Sequence, residues 1–378
     1  MQIVQRRNKI LLKIHSHIRD YDVVFEKDFS FLHKYIIEDK RIFLIDENVY
    51  KKYKRTLFKE LSTHDVIVVN AVEDGKNLDV VMSIYDRLLT LSIKRKLRLI
   101  SIGGGITQDI AGFVCSTLYR GIELICVPTT LLSQVDSCIG SKTSLNYKTY
   151  KNILGTFYPP SKIHIQQLFL QSLKDNDIYC GLGEIVKLQL MSMHSQNDIN
   201  KIRKGIRTVK KFISHRNVDV SRFLRTSLQI KQRYIEKDEF DLGVRNLLNF
   251  GHEFGHALES ASFFNIPHGI GVTVGIIFAN SIAQKRGLLS LTLSQRILKN
   301  LLIPCIPSSF LKKQYFNEQR LLEGMKKDKK RESNDLVVVV LKNNFKLEKL
   351  VNVSIEEFQY AVQTVTKYLF PPKERKKI

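Results

Sequence analysis

The sequence predicts an α/β domain built on a parallel sheet, followed by an all-α domain. The chain has 378 residues, more than a typical single domain contains. In its first part, short apolar runs alternate with amphipathic helical segments, a pattern typical of a parallel sheet covered on both faces. After Pro160 the apolar periodicity becomes mostly helical. We therefore expect domains at residues 1–165 and 166–378.

The individual elements follow from the spacing of the apolar residues. Strands are predicted at residues 9–18, 21–25, 41–46, 66–70, 97–102 and 124–127, and helices at residues 49–61, 78–91 and 109–118. The second part is predicted to contain a long helical region from Gly181, a helix at 291–302 and a strand at 336–341. Ser354 and Glu357 form a capping-box pattern that predicts the start of the last helix, which Pro371 and Pro372 end.

Composition disfavours several classes of protein. The five cysteines form no C-x-x-C pair, which is typical of reduced thiols in a cytoplasmic protein. The sequence shows no signal peptide and no run of about 18 apolar residues, so we expect no membrane partner. The net charge of +23 is spread over short clusters without a recognisable nucleic-acid-binding module. A basic surface that attracts anionic small molecules is therefore favoured over a non-enzymatic nucleic-acid binder.

Three consecutive glycines, Gly103 to Gly105, separate a predicted strand from a predicted helix that begins at Asp109. Glycines at such a turn allow backbone N–H groups to approach a phosphate at the positive end of the helix. The spacing differs from the G-x-G-x-x-G fingerprint, but the order of strand, glycines and helix indicates a nucleotide site. Asp46 ends an earlier strand, where it could hold a ribose hydroxyl or be an ordinary loop acid.

Polar residues are concentrated between residues 119 and 160. Cations and hydroxyls alternate there with glycines, and the segment includes Arg120, Lys142, Lys151 and Asn152. Guanidinium and ammonium groups recognise phosphates and carboxylates. We expect this segment to bind an anionic ligand.

Histidines and one carboxylate in the second part indicate a metal ion. His252 and His256 are four residues apart, which places both rings on one face of a helix. His268 follows a break and can approach from a second element, and imidazole is the commonest metal ligand. Glu184 and Lys187 share a helix face within an apolar run, where a buried carboxylate needs a partner or a metal. A surface ion pair is the alternative.

The segment from His252 to His256 also matches H-E-x-x-H, the pattern of zinc peptidases. Ser262 stands where the longer metzincin pattern requires a third histidine, and the next glutamate after Glu259 is Glu318. A peptidase would also leave the upstream glycines and lysines unexplained. The peptidase interpretation is therefore disfavoured, as is a pair of core histidines without a ligand.

Taken together, these motifs resemble those of the dehydroquinate synthases, members of the sugar phosphate cyclase family. The resemblance runs from about Asp46 to Lys330. It rests on Gly103-Gly104-Gly105 with Asp109, Arg120-Gly121, Pro128-Thr129-Thr130-Leu131-Leu132, Val135-Asp136-Ser137, Lys142-Thr143, Lys151-Asn152, Gly183-Glu184-Ile185-Val186-Lys187, the segment 245–256 and His268-Gly269. It implies a Rossmann-like NAD-binding domain, an α-helical metal- and substrate-binding domain, and NAD and Zn²⁺ as cofactors, with Co²⁺ as an alternative metal.

The resemblance implies a role for each matching residue. The metal ligands are Glu184, His252 and His268. NAD contacts are implied for Asp46, Asn48, Glu73, Lys76, Gly104, Gly105, Asp109, Thr129, Thr130 and Lys151. Substrate contacts are implied for Arg120, Asp136, Lys142, Asn152, Lys187, Lys231, Arg245, Asn249 and Lys330, with Lys329 as an alternative to Lys330. The catalytic groups are His256 as proton carrier, Asp241 as proton acceptor, Lys142 and Arg245.

The implied activity is conversion of 3-deoxy-D-arabino-heptulosonate 7-phosphate to 3-dehydroquinate and phosphate. Arg120 resembles an arginine that reaches the substrate phosphate of a neighbouring subunit, so the resemblance also implies a homodimer. Arg245 would bind the substrate carboxylate, or it could form a structural ion pair with Asp238 or Glu239. The alternatives are a cyclase that makes a valiolone- or inosose-type product and a polyol dehydrogenase of the glycerol dehydrogenase type.

Several residues depart from the usual pattern of the family. Ser141 stands where a second glycine is usual before Lys142, and Asp241 stands where glutamate is usual. Gly183 replaces alanine, and Gln166 occupies a position that is commonly aspartate. None of these departures removes a predicted metal ligand, but together they indicate a divergent member.

Overall fold

A computed structural model describes residues 4–6, 9–91, 96–148, 150–326 and 335–371. Lys329 and Lys330, for which substrate contacts were predicted, lie outside these residues. The chain divides into two compact units, Met1–Leu173 with Gln232–Asp241, and Lys174–Lys231 with Leu242–Ile378. The division therefore falls eight residues beyond the expected boundary at 165, and a short later segment, 232–241, returns to the first unit.

The first unit is built on a mainly parallel sheet. Its strands are β1 (Val4–Arg6), β2 (Lys9–Ile14), β3 (Tyr21–Phe25), β4 (Arg41–Asp46), β5 (Val66–Val69), β6 (Arg98–Gly103), β7 (Glu123–Pro128), β8 (Leu145–Tyr147), β9 (Tyr150–Leu154) and β10 (Lys162–Ile165). In the described residues, eight of them form one sheet in the order β1-β2-β3-β10-β7-β6-β4-β5. The strands from β3 to β5 in this order are parallel, β1 and β2 are antiparallel additions, and β8 pairs with β9 in a separate hairpin.

Helices connect the parallel strands and cover the sheet. They are α1 (Ser30–Ile36), α2 (Glu47–Tyr53), α3 (Leu78–Leu89) and α4 (Gly105–Thr117). β4 and β6 are buried along almost their whole length, as expected for strands covered on both faces. Phe43, Ile100 and Ile125, from three adjacent strands, lie in one apolar cluster with residues of α1.

Most predicted elements of this unit are confirmed, but several predicted bounds are wrong. The strand predicted at 9–18 ends at Ile14, because residues 15–20 form a polar turn in which Asp20 accepts a hydrogen bond from the Ser16 amide at 3.1 Å. The helix predicted at 49–61 begins at Glu47, where the Asp46 carboxylate caps its first amides, and it ends at Tyr53 in a series of tight turns.

The second unit is mainly helical, as predicted. Its helices are α5 (Asp175–Met191), α6 (Asp198–Ser214), α7 (Ser221–Ile235, whose last four residues are grouped with the first unit), α8 (His252–Ala261), α9 (His268–Lys285), α10 (Leu291–Ile297), α11 (Glu318–Lys326) and α12 (Ile355–Leu369). The predicted strand β11 (Leu336–Leu341) pairs with β12 (Leu347–Val353), which the sequence did not predict. The capping box of Ser354 and Glu357 is present at the start of α12.

α9 is buried on all sides, as its uniformly apolar sequence requires. Within the described residues, no helix combines the length and apolar character needed to cross a membrane.

Glycines allow α5, α8 and α9 to approach each other closely. A Cβ atom added to Gly183 on α5 would lie 2.0 Å from the carbonyl oxygen of Gly269 on α9. A Cβ atom added to Gly275 on α9 would lie 1.9 Å from the carbonyl oxygen of Gly251, the residue before α8. These obstacles are backbone atoms, which cannot rotate away as a side chain could. The contacts therefore require glycine.

The substitution Gly183→Ala should destabilise the protein, because the added methyl group must push α5 away from α9. Overpacking of this kind costs about 1–3 kcal/mol of unfolding free energy. Thermal or urea unfolding measures the change. Gly287→Asn is the control, because nothing lies within 4 Å of an added Cβ there and asparagine tolerates the left-handed backbone at φ +68°. Wild-type stability of Gly183→Ala would contradict this account of the helix contact.

Candidate active site and metal centre

The carboxyl ends of the parallel strands bring the predicted nucleotide-binding residues to one edge of the sheet. The chain passes from β4 outward to β5 and then returns to β6 on the other side of β4. Ligands of open α/β sheets bind where the strand order reverses in this way. Asp46 ends β4 and Gly103 ends β6, so both lie at this switch point.

The turn from β6 to α4 is as tight as its glycines suggest. A Cβ atom at Gly103 would lie 2.3 Å from the hydroxyl of Thr107, and one at Gly104 would lie 3.0 Å from the methyl group of Thr130. The amide of Thr129 donates a hydrogen bond to the carbonyl of Gly103 at 3.0 Å. The glycine turn therefore lies against Thr129 and Thr130 at the first turn of α4. This helix begins at Gly105 and not at the predicted Asp109.

Lys76 is the centre of a hydrogen-bond network beside this turn. Its Nζ lies 2.6 Å from Asp109 Oδ2 and 2.6 Å from Asn152 Oδ1, and Ser144 Oγ contacts the same two oxygens at 3.0 and 2.9 Å. Burial raises the pKa of the Asp109 carboxyl, and Lys76 acts in the opposite direction. Asn152, which was predicted to bind substrate, thus lies with the residues predicted to bind the cofactor.

A second part of the network holds Glu73 and Lys151. The amide group of Asn146 donates to the Glu73 side chain at 2.9 Å, and Lys151 Nζ lies 3.7 Å from the same carboxylate. Oδ1 of Asn146 also accepts a hydrogen bond from the backbone N–H of Asn152 at 2.9 Å. The structure therefore brings together Glu73, Lys76, Asp109 and Lys151, which come from three separate segments of the sequence.

The first unit also contains the predicted substrate residues Lys142, Asp136 and Arg120. Lys142 Nζ lies 2.7 Å from Asp241 Oδ2, so two groups predicted to be catalytic form an ion pair. Asp136 lies in the helical turn Ser133–Ser137 that follows β7. Arg120 is exposed on a turn in which Tyr119, Arg120 and Gly121 all have positive φ.

In the second unit, Glu184, His252 and His268 converge. Glu184 Oε1 lies 3.3 Å from His252 Nε2 and 3.2 Å from His268 Nε2. Two ligand atoms that are each about 2.0–2.1 Å from a tetrahedral zinc ion are about 3.3 Å apart. The distances from Glu184 to the two histidines therefore match those between ligands of one such ion, and ligand atoms of the two histidines lie within 4.8 Å of each other.

The outer nitrogens of both histidines are occupied, which fits a metal site. His268 Nδ1 donates to Glu259 Oε1 at 2.9 Å, and His252 Nδ1 donates to the carbonyl oxygen of Phe250 at 3.4 Å. Since both acceptors require a protonated Nδ1, each Nε2 is directed toward Glu184. Metal-bound histidines are commonly oriented in this way. Burial, followed by the Lys187 charge, also lowers the pKa of His252, which favours the neutral form that binds metal.

His256 offers an alternative third nitrogen, since ligand atoms of His252, His256 and His268 all lie within 4.8 Å of one another. Glu184 Oε1 lies 3.3 and 3.2 Å from the other two histidines and Glu184 is fully buried, so it also remains a candidate for the third ligand, as predicted. The ring of His256 reaches solvent, but protein atoms surround it closely enough to lower its pKa, and it is neutral at neutral pH.

Lys187 forms a buried ion pair rather than a surface one. Its Nζ lies 2.6 Å from Glu184 Oε2, and the side chains are 2% and 0% exposed. Burial opposes ionisation of Glu184, but Lys187 and His252 outweigh it and hold the pKa of this carboxyl well below its usual range. The prediction of a buried, partnered carboxylate is therefore confirmed.

The remaining predicted substrate residues of this unit flank the histidines in sequence. Arg245 is buried in the helical turn Val244–Asn249, which leads into α8 and ends at Asn249. Lys231 is buried on α7. The peptidase interpretation does not fit this arrangement, because the carboxylate beside the histidines comes from α5, upstream of the H-E-x-x-H segment.

Sequence reasoning missed Glu259, Ser144 and Asn146. Glu259 lies seven residues after His252 on α8, so helical spacing places it on the same face as that histidine. This spacing was a usable signal. Ser144 and Asn146 showed no comparable pattern, because their contacts depend on how the β8–β9 hairpin folds back toward α4.

Glu259→Gln should weaken metal binding, because the amide is a poorer acceptor for His268 Nδ1. Loss of such a partner typically costs about 10–100-fold in metal affinity. Competition with a chromophoric zinc chelator measures the affinity, and His268→Ala should abolish binding in the same assay. Glu323→Gln, at an exposed position of α11, removes the same charge and is the control. A wild-type zinc affinity for Glu259→Gln would show that Glu259 does not support the site.

Comparison with known proteins agrees with this arrangement. The family model for the 3-dehydroquinate synthase N-terminal part matches residues 66–180, and that for the C-terminal part matches residues 181–331. The 3-dehydroquinate synthase of Streptococcus pyogenes serotype M6 is 33% identical over 337 residues, which cover 87% of this chain and 92% of the relative. That of Pelagibacter ubique is 33% identical over 376 residues, which cover 95% and 98%.

Solved structures show the same fold. A 2-epi-5-epi-valiolone synthase from Streptomyces hygroscopicus with NAD⁺ and Zn²⁺ bound has a TM-score of 0.79 at 24% identity, covering 94% of this chain and 98% of the other. A 2-deoxy-scyllo-inosose synthase complexed with carbaglucose-6-phosphate, NAD⁺ and Co²⁺ has a TM-score of 0.77 at 23% identity, covering 94% and 99%. The family matches and the curated relatives together show that the chain belongs to the 3-dehydroquinate synthase family.

Proposed function

We propose that this chain converts 3-deoxy-D-arabino-heptulosonate 7-phosphate to 3-dehydroquinate and phosphate, with NAD as a recycled cofactor and one zinc or cobalt ion per chain. The observation that carries the proposal is the convergence of Glu184, His252 and His268, with Lys187 beside them, in a member of this family. A carboxylate and two histidines leave coordination positions for a substrate, as in catalytic zinc sites.

The first unit provides the features that NAD binding needs. The glycine turn after β6 lies at the switch point of the sheet and at the N-terminus of the 13-residue helix α4, where a pyrophosphate is favoured. Asp46 ends β4 at the same edge, as expected for a residue that holds a ribose. Bound NAD supplies a reversible hydride acceptor, so that a ring alcohol can be oxidised temporarily and the net reaction remains a lyase reaction.

The second unit provides the metal ligands. Glu184, His252 and His268 would hold the ion, and Glu259 and the Phe250 carbonyl would orient the two imidazoles. The bound ion supplies a Lewis acid that polarises substrate oxygens and makes a hydroxyl easier to deprotonate.

The side chains of the protein would bind the substrate charges and handle protons. Lys142, Lys187 and Arg245 are cations suited to the phosphate and carboxylate, and the planar guanidinium of Arg245 can donate two parallel hydrogen bonds to a carboxylate. Such fixed charges stabilise negative charge that develops during elimination of phosphate. The ring of His256 lies beside those of His252 and His268, with centroids 5.4 and 5.6 Å away, and would carry a proton on a ring nitrogen.

A phosphate-release assay should separate the substrate classes. With catalytic NAD and zinc, we expect release from the keto acid phosphate but not from sedoheptulose 7-phosphate or glucose 6-phosphate, because only the first carries a carboxylate for Arg245. His268→Ala, which removes a metal ligand, is the inactive control. If phosphate were released only from a neutral sugar phosphate, the protein would instead be a cyclase that makes a different product. Stoichiometric accumulation of NADH would indicate a polyol dehydrogenase.

We also propose that the chain acts as a homodimer in which Arg120 serves the neighbouring subunit. Three successive residues with positive φ hold Arg120 exposed on its turn. A left-handed backbone is unfavourable for non-glycine residues, so a functional role for the exposed guanidinium would account for this conformation.

Mixing two inactive variants tests this arrangement. Arg120→Ala and Lys142→Ala should each lose most activity, but subunit exchange should restore about a quarter of the wild-type sites. In a mixed dimer, the site that retains Lys142 receives Arg120 from the other subunit. Light scattering checks the oligomeric state. A dimer without restored activity would show that Arg120 acts within its own subunit.

A further inference from the structure

A buried carboxylate in the first unit is not accounted for by the proposed chemistry. Glu239 is 4% exposed, and donors to it among the described residues include Ser16, His17 and Ser141. Ser16 Oγ lies 2.6 Å from Oε1, the His17 amide lies 2.7 Å from Oε2, and Ser141 Oγ lies 3.1 Å from Oε1. The carboxylate therefore ties the turn after β2 to the segment that contains Ser141.

Ser141 has a backbone conformation that serine disfavours. Its φ is +63°, in the left-handed region. Glycine adopts this region without strain, whereas a residue with a Cβ atom does not. The hydrogen bond from Ser141 Oγ to the charged Glu239 carboxylate stabilises the conformation, since bonds to ionised acceptors are stronger than neutral ones.

The conformation of Ser141 sets the direction of Lys142, the next residue. The Ser141 carbonyl accepts from the Tyr158 amide at 2.6 Å, and Lys142 forms an isolated antiparallel bridge with Phe157. Beyond this point the Lys142 side chain is half exposed, and its Nζ lies 2.7 Å from Asp241. A change in backbone direction at Ser141 would therefore move the ammonium group away from Asp241.

Glu239 and Asp241 contact two consecutive residues, Ser141 and Lys142. Between them, Phe240 packs against Phe157, with ring centroids 5.1 Å apart, and against His17 at 6.2 Å. The segment 239–241 is thus held at three points, and its register relative to residues 141 and 142 is fixed.

We propose that Ser141 and Glu239 are a positioning pair that holds the backbone at residue 141 left-handed and so places Lys142 Nζ beside Asp241 for contact with the substrate phosphate or carboxylate. The placement of Lys142 on the substrate rests on the proposed function. The positioning of its backbone rests only on the contacts described above.

Substitution of Ser141 by alanine and by glycine gives opposite expectations. Alanine removes the hydroxyl and keeps the steric cost, so the backbone should relax and kcat/KM for the keto acid phosphate should fall roughly 10-fold, as expected for a small misplacement of a binding group. Glycine also removes the hydroxyl but adopts positive φ freely. Ser141→Gly should therefore remain within about 3-fold of the wild type.

The matched control is Ser161→Ala. Ser161 also donates its hydroxyl to a glutamate of the first unit, Glu123 Oε1, at 2.8 Å, but it lies outside the segment that holds Lys142. Its substitution should lower thermal stability without changing kcat/KM. Glu239→Gln provides a second variant, with an expected loss of several-fold in kcat/KM and little further loss in the Ser141→Ala background, because the two residues act as one pair.

Amide hydrogen exchange separates this inference from the proposed function. The amides of Thr143 and Tyr158 donate across the bridge to the carbonyls of Thr156 and Ser141 at 2.9 and 2.6 Å. Their exchange should be faster in Ser141→Ala than in the wild type and in Ser141→Gly, whatever reaction the protein catalyses. If the wild-type protein released no phosphate from the keto acid phosphate, the proposed function would be wrong. The exchange rates would still show whether Ser141 holds the backbone in place. The positioning role would be refuted if Ser141→Ala had the amide exchange and the kcat/KM of the wild type. It would also be refuted if Ser141→Ala and Ser141→Gly lost kcat/KM equally.

Discussion

The close contact of three helices in the second unit determines where the three predicted metal ligands meet. Glu184 follows Gly183, His252 follows Gly251 and His268 precedes Gly269. These are the glycines at which α5, α8 and α9 touch through their backbones. Each ligand is thus next to a point where two helices are closest, and short ligand distances follow from the packing. A larger residue at one of these points would separate the ligands as well as the helices.

The same contact buries the carboxylate that follows it in sequence. A Cβ atom at Gly183 would lie 2.0 Å from the carbonyl oxygen of Gly269, and Glu184, the next residue, is fully buried. Burial then makes the electrostatics of the site demanding, because an ionised carboxylate without partners is costly in a protein interior. Lys187 and the two histidines provide those partners for Glu184, and Glu259 provides an acceptor for His268.

In the first unit, the order of the strands determines where the predicted nucleotide-binding residues lie. Because β4 and β6 are neighbours while the chain passes through β5 between them, their carboxyl ends form the edge at which Asp46 and the glycine turn lie. Two lysines of the first unit, predicted to contact the cofactor and the substrate, each lie beside a carboxylate. Lys76 lies beside Asp109, and Lys142 lies beside Asp241, so each ammonium group has a defined position before any ligand binds.

The sequence by itself determined the fold class and the family, and it indicated a metal site near the histidines of the second part. These features depend on local signals: apolar periodicity, glycines between a strand and a helix, and histidines at helical spacing. The bounds of β4 and the capping box of α12 were predicted correctly for the same reason. The resemblance to the family supplied the roles of residues such as Glu73 and Lys231, which no local pattern indicates.

Only the tertiary structure decided which of these side chains meet. Asn152 joins Lys76 and Asp109, and Ser141 joins Glu239, through contacts between residues 33 to 98 positions apart. The shorter course of α2 and the separate pairing of β11 with β12 were also decided by capping and by packing against neighbouring elements. Contacts of this kind depend on how turns and helices place distant segments, and a sequence pattern that describes one segment at a time holds no information about them.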